Sequence, residues 1–233
     1  MVETVILFGV GASIFFTGAV FSLLFAVQNG SLRSPFYFLP PLVSLIAGVA
    51  YVGMFSIETE AIALGANVEL LRFADWAVTT PLITYYLGRL AGVEQSIKAA
   101  AVVANVFMIS LGYLFVAVSG TLQWVAFGAS MICFIAIIYL FVQTFGRALV
   151  GASQVSRSLF ISLRDLTVAT WLIYPVVYFL GPIGLEIIQP ADMTFIIMAL
   201  DVTAKVGLIS IILFRQHTLK TYLSYDIPSP SGD

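Results

Sequence analysis

A chain that stays apolar for about 20 residues at a time, and does so repeatedly, must cross a bilayer repeatedly, because that is the length a spanning helix needs. Seven such runs stand between short polar breaks, at about 4–27, 35–56, 70–91, 97–117, 121–143, 156–181 and 190–215. Only 9% of the 233 residues are charged and 61% are hydrophobic, whereas soluble domains run to roughly 25% charged. The breaks ("QNGSLRSP", "SIETEAIALGANVE", "AGVEQS", "VSGT", "GRALVGASQ", "GPIGLEIIQP") are too short to hold a soluble domain. The expectation is an all-α membrane protein, a seven-transmembrane-helix bundle over residues 1–220, with a short disordered tail, "TYLSYDIPSPSGD", at 221–233.

The first run has no basic flank and no A-x-A site, so it reads as a retained span and not as a signal peptide. Cys133 is the single cysteine and lies within a span, which excludes an intrachain disulfide and a cysteine-based zinc site. No metal site is expected, and the net charge of −2, without a basic patch, gives no sign of nucleic-acid binding.

Basic residues near span ends are retained on the cytoplasmic side. Arg33, Arg89, Lys98, Arg147, Arg157, Arg164, Arg215 and Lys220 fall at the breaks after spans one, three, five and seven. Glu3, Glu58, Glu60, Glu69, Glu186 and Asp192 fall on the other face. This places the N-terminus outside the cell, the C-terminus in the cytoplasm, and the chain in the cell membrane as a multi-pass protein in contact with lipid.

Two basic residues escape that rule, Arg72 on span three and Lys205 on span seven. A lysine near mid-bilayer costs roughly 2.5 to 3.5 kcal/mol on insertion scales and is a functional-site candidate by default. Asp201 and Lys205 are four apart and share a helix face, while Arg72, Asp75 and Thr79 make an inward polar stripe on span three. One reading is a structural ion cluster of Lys205, Asp75, Asp201 and Arg72. Buried pairs seldom recover their desolvation, however. The other reading is that Lys205 is a desolvated amine that condenses with an aldehyde, with Asp75 and Asp201 as counterions and Arg72 keeping the carboxylates ionised. Trp76, Phe127, Phe134, Trp171, Tyr174 and Tyr178 offer flat walls for a long apolar aldehyde, and Pro175 should loosen span six beside them.

With these residues in view, the chain closely resembles the archaeal, or type I, microbial rhodopsins over nearly its whole length. "RFADWAVTTPL" looks like their third-helix signature, with Phe73 where Tyr is usual; "WLIYPVVYFLGP" resembles their sixth-helix motif, and "LDVTAK" their retinal-lysine motif. The resemblance implies a photoreceptor and not an enzyme. It implies all-trans retinal bound covalently at Lys205 as a Schiff base, Asp75 as primary counterion and proton acceptor, Asp201 as second counterion and Arg72 in the same complex. Trp76 and Trp171 would sandwich the polyene. Thr79, Thr80, Met108, Gly112, Phe127, Ser130, Phe134, Tyr174 and Tyr178 match the remaining pocket positions. Chloride pumps carry Thr at the Asp75 position, so chloride transport is disfavoured.

Within that family, the position of the pumps' cytoplasmic proton donor is Tyr86, and a phenol with an ordinary pKa of about 10 is a poor donor at neutral pH. Met193 and Ile183 occupy the positions where efficient pumps carry Glu, with Asp192 and Glu186 close by in sequence. A slow cycle suits a sensory rhodopsin. The sensory match is mixed: Ala204 replaces the Thr expected before the lysine, Ala199 replaces a transducer-contacting Tyr, and Leu166 replaces a helix-six His. The combination most resembles the middle rhodopsins, between bacteriorhodopsin and sensory rhodopsin II. The expectation is a slow light sensor signalling to a membrane-embedded transducer of the chemotaxis type, with a weak outward proton pump as the alternative and a non-photochemical scaffold as the third. Self-association into a homo-oligomer is compatible with it. Asp165, beside Arg164, reads as a surface charge.

Overall fold

The computed structural model describes residues 2–29, 32, 34–61, 67–149, 153–217 and 219–220; Arg33 and the tail at 221–233, both used above, lie outside the described residues. Among the described residues every regular element is helical. The helices are Val2–Asn29, Pro35–Glu58, Val68–Leu90, Gln95–Ala117, Thr121–Tyr139, Gln154–Leu180 and Pro190–Phe214, numbered one to seven in chain order. Six are long and apolar enough to cross a membrane. The third is as long as the fourth, but it carries Glu69, Arg72, Asp75 and Arg89. Its two central charges, Arg72 and Asp75, are buried inside the bundle, so they add nothing to the surface that lipid would meet.

Local signals set several ends. Pro35 and Pro190 open the second and seventh helices at positions where a missing N–H costs nothing. Asn67 caps the third, its side chain accepting from Leu70 N at 2.7 Å. Gly92, at φ 69, takes the left-handed conformation that lets Val93 N reach back to Gly88 O and closes the third helix. The fifth helix departs from the expected end near residue 143. It runs on through a π-helical turn, Leu140–Thr144, and a last α turn, Phe145–Ala148. Phe141 within that wider turn and Phe145 just after it are both fully buried.

Consecutive helices pack from the first to the fifth, the sixth packs on the seventh, and the seventh returns to the first. The third also meets the sixth, and the second meets the seventh; these cross-contacts bring the charged residues of helices three and seven together. Large apolar side chains face outward, among them Ile132 at 71% exposure and Phe21 and Ile135 at 63%. A soluble monomer rarely shows apolar surface on this scale. The protein is a multi-pass membrane protein of the cell membrane.

Candidate functional site

Lys205 is 2% exposed, and its Nζ is paired with Asp75 Oδ2 and lies 3.9 Å from Asp201 Oδ1. The two carboxylates are held differently. Asp201 accepts from Tyr51 OH (2.8 Å), Trp76 Nε1 (2.9 Å) and Tyr174 OH (2.7 Å). Hydrogen bonds to a charged group contribute about 1.5 to 3 kcal/mol each, so these three donors stabilise its charge and fix its position. Asp75 meets Lys205 through Oδ2, while its buried Oδ1 has no hydrogen-bond partner.

Arg72 differs from the expectation. It pairs with Glu69, one turn away on its own helix, and no ion pair joins it to Asp75 or Asp201 among the described residues. Glu69, read from sequence as an outer surface charge, also accepts from Tyr178 OH at 2.7 Å. The cluster therefore holds three carboxylates against two cations. Tyr51 and Glu69 were both missed by sequence reasoning. The three-residue spacing of Glu69 and Arg72 was a usable signal, whereas nothing near Tyr51 in sequence marks it.

Beside Lys205 lies a cavity of about 100 Å³. Trp76, Thr80, Met108, Gly112, Phe127, Ser130, Phe134, Trp171, Tyr174 and Tyr178 line it, together with Asp201 and Lys205. Thr79 does not line it: its hydroxyl bonds back to Asp75 O at 2.8 Å, directly behind the counterion. Gly112 is needed for space, since a Cβ there would lie 3.0 Å from the Phe73 ring. Ser130 donates to Met108 O at 2.8 Å, joining the fourth and fifth helices at the cavity wall. Mostly aromatic walls, a buried amine and adjoining carboxylates fit the group that the sequence implies, a long apolar aldehyde whose linkage to lysine is a cation.

Behind the wall, Thr80 donates to Asn105 Oδ1 at 2.6 Å and Asn105 Nδ2 donates to Thr84 at 3.1 Å, all three buried. Asn105→Leu removes one hydrogen bond from each of two buried hydroxyls, of which Thr80 keeps its bond to Trp76 O, a loss of about 0.5 to 1.5 kcal/mol per bond. The expected result is a lower thermal midpoint of the detergent-purified protein; an unchanged midpoint would show that this bridge contributes nothing.

Tyr86 is 2% exposed and packs edge-on to Phe36 at 5.5 Å. It shares a small second cavity with Lys205, walled otherwise by Leu39, Pro40, Val43, Leu82, Ile83, Leu208 and Ile209. Met193 is buried, and Ile183 O accepts from Gln123, while Glu186 and Asp192 are exposed. Asp165 is 61% exposed and paired with Arg164 at 2.7 Å, a surface pair.

The family model for bacteriorhodopsin-like protein matches residues 3–219. The chain is 49% identical to sensory rhodopsin III of Haloarcula marismortui over 96% of each chain. It is 32% identical to bacteriorhodopsin-I of Haloquadratum walsbyi, over 91% of this chain and 87% of that one. Its backbone is similar to the crystal structure of a cyanorhodopsin from Tolypothrix sp., with a TM-score of 0.84 and 26% identity over 94% of this chain and 98% of that one. Sequence and backbone agree over nearly the full length, and the chain belongs to the bacteriorhodopsin-like protein family.

Proposed function

We propose that this protein is a retinal-based light sensor with a slow photocycle, signalling to a membrane-embedded transducer. Retinal is the cofactor of its family, carried on a lysine, and Lys205 is the residue that would hold it, between Trp76 and Trp171 of the cavity wall. When bound, retinal supplies light absorption, isomerisation and a linkage nitrogen that carries one proton. Asp75 is the acceptor of that proton, because it adjoins the lysine nitrogen. Asp201, fixed by three donors, keeps its position beside it. The N-terminus is assigned to the outside from the distribution of Arg and Lys.

The observation that carries sensor over pump is the space shared by Lys205 and Tyr86. Among the described residues its walls offer, besides Lys205 itself, only apolar side chains and one phenol, and no carboxylate, so a proton returning from that side finds no donor matched to neutral pH. The 49% identity to a protein named sensory rhodopsin III supports the same choice. Ala199 is exposed on the seventh helix, so a transducer docking there meets a small side chain in place of the expected Tyr. A weak outward pump would share the first proton transfer and differ in how fast the nitrogen regains its proton.

The test is flash photolysis of the purified protein after addition of all-trans retinal. A visible band whose recovery is slow supports the sensor, and recovery within milliseconds rejects it. Tyr86→Asp puts a carboxylic acid in the shared space and should speed recovery about 10²-fold or more, the usual contribution of a positioned acid. Unchanged recovery would show that proton return does not limit the cycle.

A further inference from the structure

Glu69 has no part in the mechanism above, yet it organises one end of the site. Glu69, Arg72 and Asp75 follow one another at three-residue steps on the third helix, so Arg72 stands within reach of a carboxylate on either side. The guanidinium is committed to Glu69, while Asp75 is committed to Lys205. Arg72 is 2% exposed and Glu69 24%, so a buried cation leans toward the rim. The second oxygen of Glu69 accepts from Tyr178 of the sixth helix. Tyr178 lines the retinal cavity and packs against Trp76 and Phe73 at 5.9 and 5.6 Å. Arg72 Nε is buried without a hydrogen-bond partner, and Tyr178, which braces Glu69, also interacts with the guanidinium, so both contacts draw Arg72 to the Glu69 end of the site.

Coulomb energy falls as the inverse of distance, so the direction in which Arg72 points decides how much of its charge offsets Asp75 and Asp201. We infer that Glu69 is a positioning residue for the counterion site: braced by Tyr178, it holds Arg72 turned toward the rim and leaves Asp75 and Asp201 to face the cation on Lys205. This rests on the retinal reading. With Glu69 neutral, Arg72 turns toward Asp75 and Asp201, weakens the negative field at the nitrogen and narrows the optical gap. Because Tyr178 belongs to both the cavity wall and the Glu69 brace, movement of the wall reaches Arg72 through it.

The experiment measures the visible band of the full chain loaded with all-trans retinal, as wild type, Glu69→Gln, Glu69→Asp, Arg72→Gln and Arg72→Gln/Glu69→Gln. Glu69→Gln should move the band to the red, and Glu69→Asp, which keeps the charge, should retain most of the wild-type position. In the Arg72→Gln background, Glu69→Gln should add no shift, the mark of a residue acting through its neighbour. A band that stays put in Glu69→Gln, or one that moves as far in Glu69→Asp, overturns the inference. So does an equal Glu69→Gln shift after Arg72 is gone. If the Arg72 variants take up no retinal, the comparison of Glu69→Gln with Glu69→Asp decides. A wild-type chain that forms no band rejects the retinal reading instead, a distinct result.

Discussion

Lys205→Ala is expected to yield a protein that forms no visible band with all-trans retinal, a complete loss. A Schiff base needs a primary amine, and among the described residues Lys205 supplies the only side-chain amine lining the cavity. A second effect must be separated from this one. Removing the cation leaves Asp75 and Asp201 buried without their partner, and breaking a buried ion pair from one side costs about 3 to 5 kcal/mol. Colour could then be lost through unfolding, so helix content is measured alongside by circular dichroism. The double variant Lys205→Ala/Asp75→Asn removes one anion with the cation. It should be more stable than Lys205→Ala and equally colourless. A visible band persisting in Lys205→Ala would mean that retinal is held elsewhere.

Asp75→Asn is expected to shift the band to the red and to abolish the light-driven proton transfer. A negative charge beside the linkage nitrogen holds positive charge there more strongly in the dark state than in the excited state, where the charge spreads along the polyene. Removing it brings the two states closer in energy. An amide also lacks the carboxylate oxygen that accepts the proton, Oδ2 beside Lys205. Asp201 already accepts from Tyr51, Trp76 and Tyr174 and lies farther from the lysine nitrogen, at 3.9 Å. An unchanged absorption band together with an unchanged photocycle would assign both roles to Asp201.

Much of this was legible in the sequence for a physical reason. Apolar length fixes where a helix can cross a bilayer, so six of the seven helices end within about two residues of their expected limits. The fifth did not, because its π turn is held by the burial of Phe141 and Phe145, and such a turn has no hydropathy signature. Lys205, Asp75 and Asp201 stood out because a charge inside a span is costly and therefore conspicuous. Tyr51 and Asn105 did not stand out. Both are polar groups whose function lies in a bond to another helix, over 150 residues in the case of Tyr51 and Asp201. Glu69 was misplaced because it lies at the first turn of its helix, where a carboxylate is ordinary. Only its pairing with Arg72 and Tyr178 turns it inward. Thr79 was credited with a place at the cavity, but its hydroxyl is spent on Asp75 O.

In the proposed function, light drives a proton from the linkage on Lys205 to Asp75 in a cycle too slow to pump. The measurement that tests it most directly is the external pH of a suspension of cells carrying the protein and retinal under continuous light. The account predicts little or no sustained acidification while the visible band bleaches and recovers slowly. Strong, sustained acidification that collapses with a protonophore would contradict it and establish a pump.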